Sequence, residues 1–244
     1  LVNKYPYTRS LFKRAYNSQG FINGKYQYCL WLDGVAPGDI RKCPTIMERV
    51  ENVRIYRLAS PKEQTRRQAE TPTLFTEIRQ PKGNYIVIPK VSSENRQYIP
   101  LGFLSPDIIC NNTIKLVPDA SLYHFGVLNS VVHNAWMRVV AGRLEMRYQY
   151  SNTIVYNNFP WPQPNDAQKA KIEHTAQAIL DARSLYPDSS LADLYDSLAM
   201  PPELRKAHRA NDAAVLEAYG FPKDATESDI VARLFKMYRE LTSR

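Results

Sequence analysis

The spacing of hydrophobic positions divides the chain into regions with strand-like and helix-like patterns. Runs rich in Ile, Val, Tyr and Phe, bounded by turn residues such as Pro, Gly, Asn and Asp, are typical of strands. They predict strands over residues 26–32, 74–78, 85–88, 98–104 and 108–117. Because the last four follow one another at short intervals, we expect them to form an antiparallel meander.

Elsewhere, apolar residues recur every three or four positions, which is typical of helices that pack on one side. We expect helices over residues 39–59, 60–71 and 120–140, and three more that begin at Asp166, Pro202 and Thr226. Ser60 and Glu63 would form a capping box for the second helix. Asp119 would cap the third, which is expected to be one long helix.

The stretch between this long helix and the last three, residues 142–162, alternates in polarity in its first half. In an extended chain, alternate side chains project from opposite faces. One face would then carry Glu145, Arg147 and Gln149, and the other would pack Leu144, Met146, Tyr148 and Tyr150. The stretch ends in Phe159-Pro-Trp-Pro162, which continues neither a strand nor a helix.

These patterns predict an α+β fold with two domains. A mixed or antiparallel sheet would organise a domain over residues 1–162, and a small all-α domain would follow over residues 163–244. The chain begins with Leu1 rather than Met, so we expect it to be a piece of a longer protein.

Charge is distributed unevenly between the two parts. The formal net charge is +8, of which residues 1–150 carry +10 and residues 151–244 carry −2. A basic part joined to a nearly neutral part is typical of a module that binds a polyanion. The charge therefore favours a nucleic acid as partner, although many soluble proteins carry a modest positive excess.

Cysteine usage and hydropathy exclude several other classes of protein. Cys29, Cys43 and Cys110 are odd in number and far apart, which argues against a zinc site and against a disulfide framework. A reducing cytoplasm fits this pattern. No run approaches the roughly 20 apolar residues that span a bilayer, so we expect no membrane partner.

Motifs for catalysis are missing from the sequence. It has no Gly-rich phosphate loop, no His-Glu-x-x-His and no nucleophile in a recognisable frame, so we do not expect this part of the protein to be catalytic. Asn158-Phe-Pro-Trp161 resembles the Asn-Pro-Pro-aromatic motif of amino-methyltransferases, but Phe159 replaces its first proline. We interpret this segment as an aromatic packing element.

Side chains that pair with DNA are present instead. Arg pairs with guanine, Gln with adenine and Glu with the cytosine amine, so Glu145, Arg147 and Gln149 are candidates for reading bases. The alternative is an edge strand with a solvated polar face. Candidates for phosphate contacts, for which the alternative is again a solvated surface, are Arg54, Arg57, Arg66, Arg67 and Arg143.

Whole segments of the chain resemble the target-recognition and C-terminal regions of the MmeI-like family. Members of this family are restriction-modification enzymes in which an adenine-specific DNA methyltransferase is fused to a nuclease. The most specific of the resembling segments are Tyr156-Asn-Asn-Phe-Pro-Trp-Pro162 and Met200-Pro-Pro-Glu-Leu-Arg205. The others are Tyr85-Ile-Val-Ile-Pro-Lys-Val-Ser-Ser93, Tyr98-Ile-Pro-Leu-Gly-Phe-Leu-Ser105, Leu122-Tyr-His-Phe-Gly126 and Tyr148-Gln-Tyr-Ser-Asn152.

The resemblance implies that this part of the protein reads a short asymmetric site in the major groove of double-stranded DNA. Pairs of side chains would each choose one base pair, and the resemblance places these pairs at Glu145 with Arg147, Lys90 with Asn112, and Thr113 with Gln149. The methyltransferase domain of the same parent chain would be a second partner. S-adenosylmethionine and Mg²⁺ would be cofactors of the parent, and this part would hold none.

Two alternatives come from other functional classes. The chain could be a stand-alone RNA-binding protein that uses its 16 tyrosines to stack on bases. It could also be an interaction scaffold whose basic charge is incidental. A preference for single strands would favour the first, and binding that is insensitive to salt would favour the second.

Overall fold

A computed structural model of the protein describes residues 1–243. Its strands are β1 (Phe12–Tyr16), β2 (Gln27–Leu30), β3 (Tyr85–Pro89), β4 (Val91–Ser92), β5 (Gly102–Leu104), β6 (Ile109–Cys110), β7 (Ile114–Pro118), β8 (Gly142–Leu144) and β9 (Arg147–Gln149). Its α-helices are α1 (Ser18–Ile22), α2 (Pro37–Arg41), α3 (Pro44–Leu58), α4 (Glu63–Arg67), α5 (Leu122–Leu128), α6 (Val131–Val140), α7 (Asp166–Ser184), α8 (Leu191–Leu194), α9 (Pro202–Tyr219) and α10 (Glu227–Thr242). Helices hold 49% of the residues and strands 13%, which confirms the expected α+β class.

The chain forms two compact units. The first unit contains residues 1–15, 27–80 and 107–109. In it β1 pairs antiparallel with β2, and Leu11, Leu32, Ile40, Cys43 and Ile46 form a small core. Prolines begin α2 and α3, where a missing N–H costs nothing because that group has no partner inside the helix.

A buried arginine organises the loop that follows α4. The Arg57 guanidinium donates to the carbonyl oxygens of Gln68, Thr71 and Leu74 at 2.8, 3.0 and 2.7 Å. The predicted strand over residues 74–78 is wrong, since these residues form a loop. The Leu74 carbonyl is taken by Arg57, and Phe75 stacks on Trp31 with ring centroids 5.5 Å apart.

The predicted capping box before α4 is also wrong. The helix starts at Glu63 after Lys62, which makes no side-chain cap. The Ser60 hydroxyl accepts a bond from the Lys62 N–H at 3.3 Å instead, which closes a turn before the helix.

The second unit contains residues 16–26, 81–106 and 110 onward, and its sheets depart from a meander. Strand β3 lies between β5 and β7, antiparallel to both, with all five of its residues buried. Strand β4 leaves this sheet and pairs with β9, so that β4, β9 and β8 form another three-stranded sheet.

The expected long helix over residues 120–140 is two helices. Helix α6 begins after Ser130, whose hydroxyl accepts from the His133 N–H at 3.3 Å, and this cap separates α6 from α5. Ser121 rather than Asp119 precedes α5. Asp119 has φ 54°, a left-handed conformation that does not lead directly into a helix.

The three long C-terminal helices are confirmed. Thr226 and Asp229 form the capping box of α10, and Gly220 ends α9 with φ 68°. Helix α7 is capped by Asn165, one residue before the expected Asp166. None of the helices in the described part is long and apolar enough to cross a membrane.

The Phe159-Pro-Trp-Pro162 segment packs inside this unit. Phe159 is buried and meets the His133 ring edge-on at 4.5 Å, while the Tyr219 hydroxyl donates to the Pro160 carbonyl at 2.8 Å. Residues on both sides of position 162 contribute to one hydrophobic core. The boundary at residue 162 stays a prediction about domains, and these contacts show that the helices beyond it are packed against what precedes them.

Candidate nucleic-acid interface

Strands β8 and β9 form a hairpin with a two-residue turn. Leu144 pairs with Arg147, which leaves Glu145 and Met146 at the tip. The expectation of one continuous strand through these residues is therefore wrong. The predicted packing face is only half formed, because Tyr148 and Tyr150 are buried whereas Leu144 and Met146 are 45% and 70% exposed.

Glu145 and Arg147 are in contact at the tip. Arg147 Nη2 lies 2.8 Å from Glu145 Oε2, and both side chains face solvent, with relative exposures of 41% and 76%. Glu145 has φ 58°, which is uncommon for a residue other than glycine. The turn thus holds the carboxylate beside the guanidinium of the residue two positions on.

Arg143 braces the turn from the opposite strand. Its Nη1 donates to the Met146 carbonyl at 3.1 Å, and its guanidinium carbon lies 3.8 Å from the centroid of the Tyr148 ring. Because Tyr148 is buried, the stack ties the tip to the core. The predicted phosphate contact of Arg143 stays a prediction, and its contacts here assign it a role in positioning the tip.

Lys90 lies where the two sheets of the second unit meet. Its N–H donates to the Thr113 carbonyl at 2.9 Å, and its carbonyl accepts from the Tyr150 N–H at 2.7 Å. The next residue, Val91, pairs with Gln149. Lys90, between β3 and β4, is therefore bonded through its backbone to Thr113 in the turn before β7, and its neighbour Val91 pairs with Gln149 of β9, so three of the predicted reading residues occupy one region of the surface.

A turn before β7 carries the other candidates. Asn111 Oδ1 accepts from both the N–H and the hydroxyl of Thr113, at 2.9 and 2.6 Å. Asn112, between them, is exposed. Because the Thr113 hydroxyl gives its proton to Asn111, only acceptor capacity remains for a base, and part of that is taken by the Ser18 N–H at 2.9 Å.

Ser18 is a residue that the sequence did not single out. It is buried, its hydroxyl donates to the Thr113 carbonyl, and that hydroxyl accepts from the Lys90 N–H at 3.2 Å. Ser18 thus joins two of the predicted reading positions. Asn17 and Ser18 before a short apolar run suggest a helix cap. No local pattern, however, indicates that Ser18 contacts Lys90 and Thr113, which are separated from it by 72 and 95 positions.

The remaining phosphate candidates belong to the first unit. Arg54 and Arg67 form exposed ion pairs with Glu51 and Glu63, and exposed pairs of this kind exchange readily for other anions. Arg66 donates to the carbonyls of Ser60 and Pro61 at 3.0 and 2.9 Å and is exposed.

Arg57 does not suit a phosphate contact. It is 9% exposed, and three carbonyl oxygens surround its guanidinium. Its burial and its three carbonyl partners give Arg57 a structural role, and its predicted phosphate contact stays a prediction that these contacts do not favour.

The whole chain is similar to known proteins. Residues 1–163 match the family model described as MmeI, target recognition domain, and residues 164–244 match that described as MmeI, C-terminal domain. The chain is 38% identical over 243 residues to DNA methyltransferase A of Bacillus subtilis (strain 168), covering 100% of this chain and 28% of that protein. It is similar, with a TM-score of 0.96 and 46% identity, to the type IIL restriction-modification enzyme MmeI in complex with DNA, covering 100% of this chain and 32% of that one. The chain therefore spans about a third or less of these relatives.

Proposed function

Because the chain belongs to the MmeI family, as its target recognition domain followed by its C-terminal domain, we propose that it reads a short, asymmetric sequence of double-stranded DNA for a methyltransferase. Since it spans 28% and 32% of its relatives, the catalytic domain would lie in another part of a longer parent protein. That parent would methylate adenine with S-adenosylmethionine in the cytoplasm, and a fused nuclease would use Mg²⁺.

The observation that carries the proposal is the exposed Glu145–Arg147 pair at the tip of the hairpin. A two-stranded ribbon fits the major groove, where each base pair shows a distinct pattern of donors and acceptors. Arg147 would donate to guanine O6 and N7. Glu145 would orient that guanidinium or accept from the amine of the paired cytosine, so the two residues would together select one base pair.

Two further pairs would select other base pairs. Lys90 would donate to guanine with Asn112 beside it on the exposed turn, and Thr113 would act with Gln149. Backbone bonds support a common reading surface, because they hold Lys90 beside Thr113 and Val91 beside Gln149. Each correct pair would contribute roughly 1–3 kcal/mol of discrimination.

Arginines would supply affinity without sequence preference. Arg54, Arg66 and Arg67 are exposed, and their partners among residues 1–243 are surface carboxylates or loop carbonyls that phosphates can replace. The parent must also extrude the target adenine from the duplex, and this part would hold the DNA during that step.

Replacing the reading pair in the full-length parent tests the proposal. We expect Glu145→Lys with Arg147→Glu to change one base of the methylated site and leave the others, as mapped by sequencing of methylated DNA. Reversing the exposed pair Lys171–Glu217, whose atoms lie 2.6 Å apart, is the matched control and should leave the site unchanged.

Three results would contradict the proposal. An unchanged site with only reduced activity would make Glu145 and Arg147 structural. Preference for single-stranded RNA over any duplex would favour the RNA-binding alternative. Binding that does not respond to salt would favour a scaffold, because phosphate contacts release counterions.

A further inference from the structure

Met146 is an apolar residue whose side chain is not packed against the rest of the protein. It occupies the hairpin tip directly between Glu145 and Arg147 and is 70% exposed. Tyr148 of β9 and Tyr150 just after it belong to the core, whereas Met146 contributes nothing to it. A flexible thioether side chain adapts to irregular apolar surfaces, which suits a contact with a partner.

The turn fixes where this side chain starts. Arg143 Nη1 holds the Met146 carbonyl at 3.1 Å, and Glu145 adopts φ 58° on its other side. The bond from Arg143 and the turn at Glu145 therefore restrain the Met146 backbone, while the Met146 side chain stays in solvent. A restrained backbone with an exposed apolar side chain is the arrangement expected of a contact residue, since less conformational freedom is lost on binding.

The chemistry of the major groove identifies the partner group. The donors and acceptors of base edges can bond to Glu145 and Arg147. The thioether of Met146 has no donor and only a weak acceptor, so it does not form useful hydrogen bonds with them. The apolar group displayed in the major groove is the 5-methyl group of thymine. Met146 would enter the groove with the tip and reach a base pair beside the one that its neighbours read.

We propose that Met146 contacts the 5-methyl group of a thymine in the base pair adjacent to that read by Glu145 and Arg147, and so adds a sequence preference there. This inference rests on the proposed function of the reading pair. It adds a specificity residue whose contact is apolar rather than hydrogen-bonded.

Removing single methyl groups from the DNA tests this contact. The full-length parent would be titrated with duplexes that carry its methylated site, in which each thymine of the site and its flanks is replaced in turn by uracil. Burial of one methyl group corresponds to about a fourfold change in the dissociation constant. We expect one replacement, next to the base pair assigned by the Glu145 and Arg147 exchange, to weaken wild-type binding about fourfold.

Variants assign the effect to Met146. In Met146→Ala and in the isosteric, polar Met146→Gln, the same thymine and uracil duplexes should bind equally. Leu185→Ala removes another apolar side chain that is 63% exposed, and it should retain the wild-type sensitivity to uracil. Thermal unfolding should be unchanged in all three variants because the side chains are exposed.

The outcomes separate this inference from the proposed function. If no uracil replacement affects wild-type binding, or if wild type and Met146→Ala respond equally, Met146 does not contact a thymine methyl group. If the Glu145 and Arg147 exchange also leaves the methylated site unchanged, the proposed function of the hairpin fails as well.

Discussion

The Tyr98 hydroxyl donates a 2.6 Å hydrogen bond to Asp212 Oδ2, joining the segment before β5 to helix α9. The other oxygen of Asp212 accepts from the Val131 N–H at 2.7 Å, at the start of α6. Burial raises the pKa of Asp212 to about 6, even though these two bonds and Arg138 act in the opposite direction. This carboxyl thus connects Tyr98 and the start of α6 to helix α9.

Asp212 should make stability depend on pH. Because its pKa rises from 3.8 to about 6 on folding, the folded protein holds this proton more tightly than the unfolded chain does. Its contribution is fully present below about pH 4 and is lost as the pH rises to about 6. Between these pH values the wild type should lose on the order of 3 kcal/mol of its free energy of unfolding, and Asp212→Asn should not show this loss. Urea unfolding between pH 4 and 7 measures both.

Asp229→Asn is the control of opposite sign. The Thr226 cap lowers the pKa of Asp229, so the stability contributed by Asp229 is present at neutral pH and is lost as the pH falls through its folded pKa. Equal slopes between pH 4 and 6 for the wild type and Asp212→Asn would show that Asp212 ionises normally.

Arg57 should matter to stability far more than its neighbour on α3. Arg57→Ala would leave three loop carbonyls without their donor, and we expect a loss of about 3 kcal/mol in the free energy of unfolding. Arg54→Ala removes only an exposed ion pair and should change stability by less than about 1 kcal/mol. Equal effects in denaturant unfolding of the two variants would contradict the structural role of Arg57.

The turn at Glu145 should trade stability for recognition. A non-glycine residue at φ 58° is strained, so Glu145→Gly should raise the free energy of unfolding by up to about 1 kcal/mol while removing the carboxylate from Arg147. Glu145→Gln keeps both the strain and the length, and should not gain stability. Thermal denaturation measures the change in stability, and sequencing of methylated DNA measures the change in the recognised site. A less stable Glu145→Gly variant would mean that the turn depends on the ion pair.

Elements that depend on nearby residues could be predicted from the sequence. The Thr226–Asp229 box and Gly220 lie within a few residues of the helix ends that they define, so α9 and α10 were predicted correctly. The break before α6 was also within reach, since Ser130 is a good cap.

Elements set by distant contacts could not be predicted. The loop at residues 74–78 has a strand-like sequence, but its first carbonyl accepts from Arg57, 17 positions away, instead of from a neighbouring strand. The hairpin tip contains neither Gly nor Asn, so the turn at Glu145 had no local signal. The pairing of reading residues came from family resemblance, whereas Ser18, which links two of them, could be found only in the fold.

Salt should distinguish the proposed phosphate contacts from the proposed reading residues. A contact between one arginine and a phosphate releases a counterion, so Arg66→Ala in the full-length parent should reduce the slope of log affinity against log salt concentration by about 0.9. The methylated site should stay the same, because phosphate contacts carry no sequence information. Arg209→Ala, which removes an exposed arginine of α9, serves as the control and should leave the slope unchanged. Equal slopes for Arg66→Ala and the wild type would show that Arg66 remains bonded to the loop carbonyls of Ser60 and Pro61 when DNA is bound.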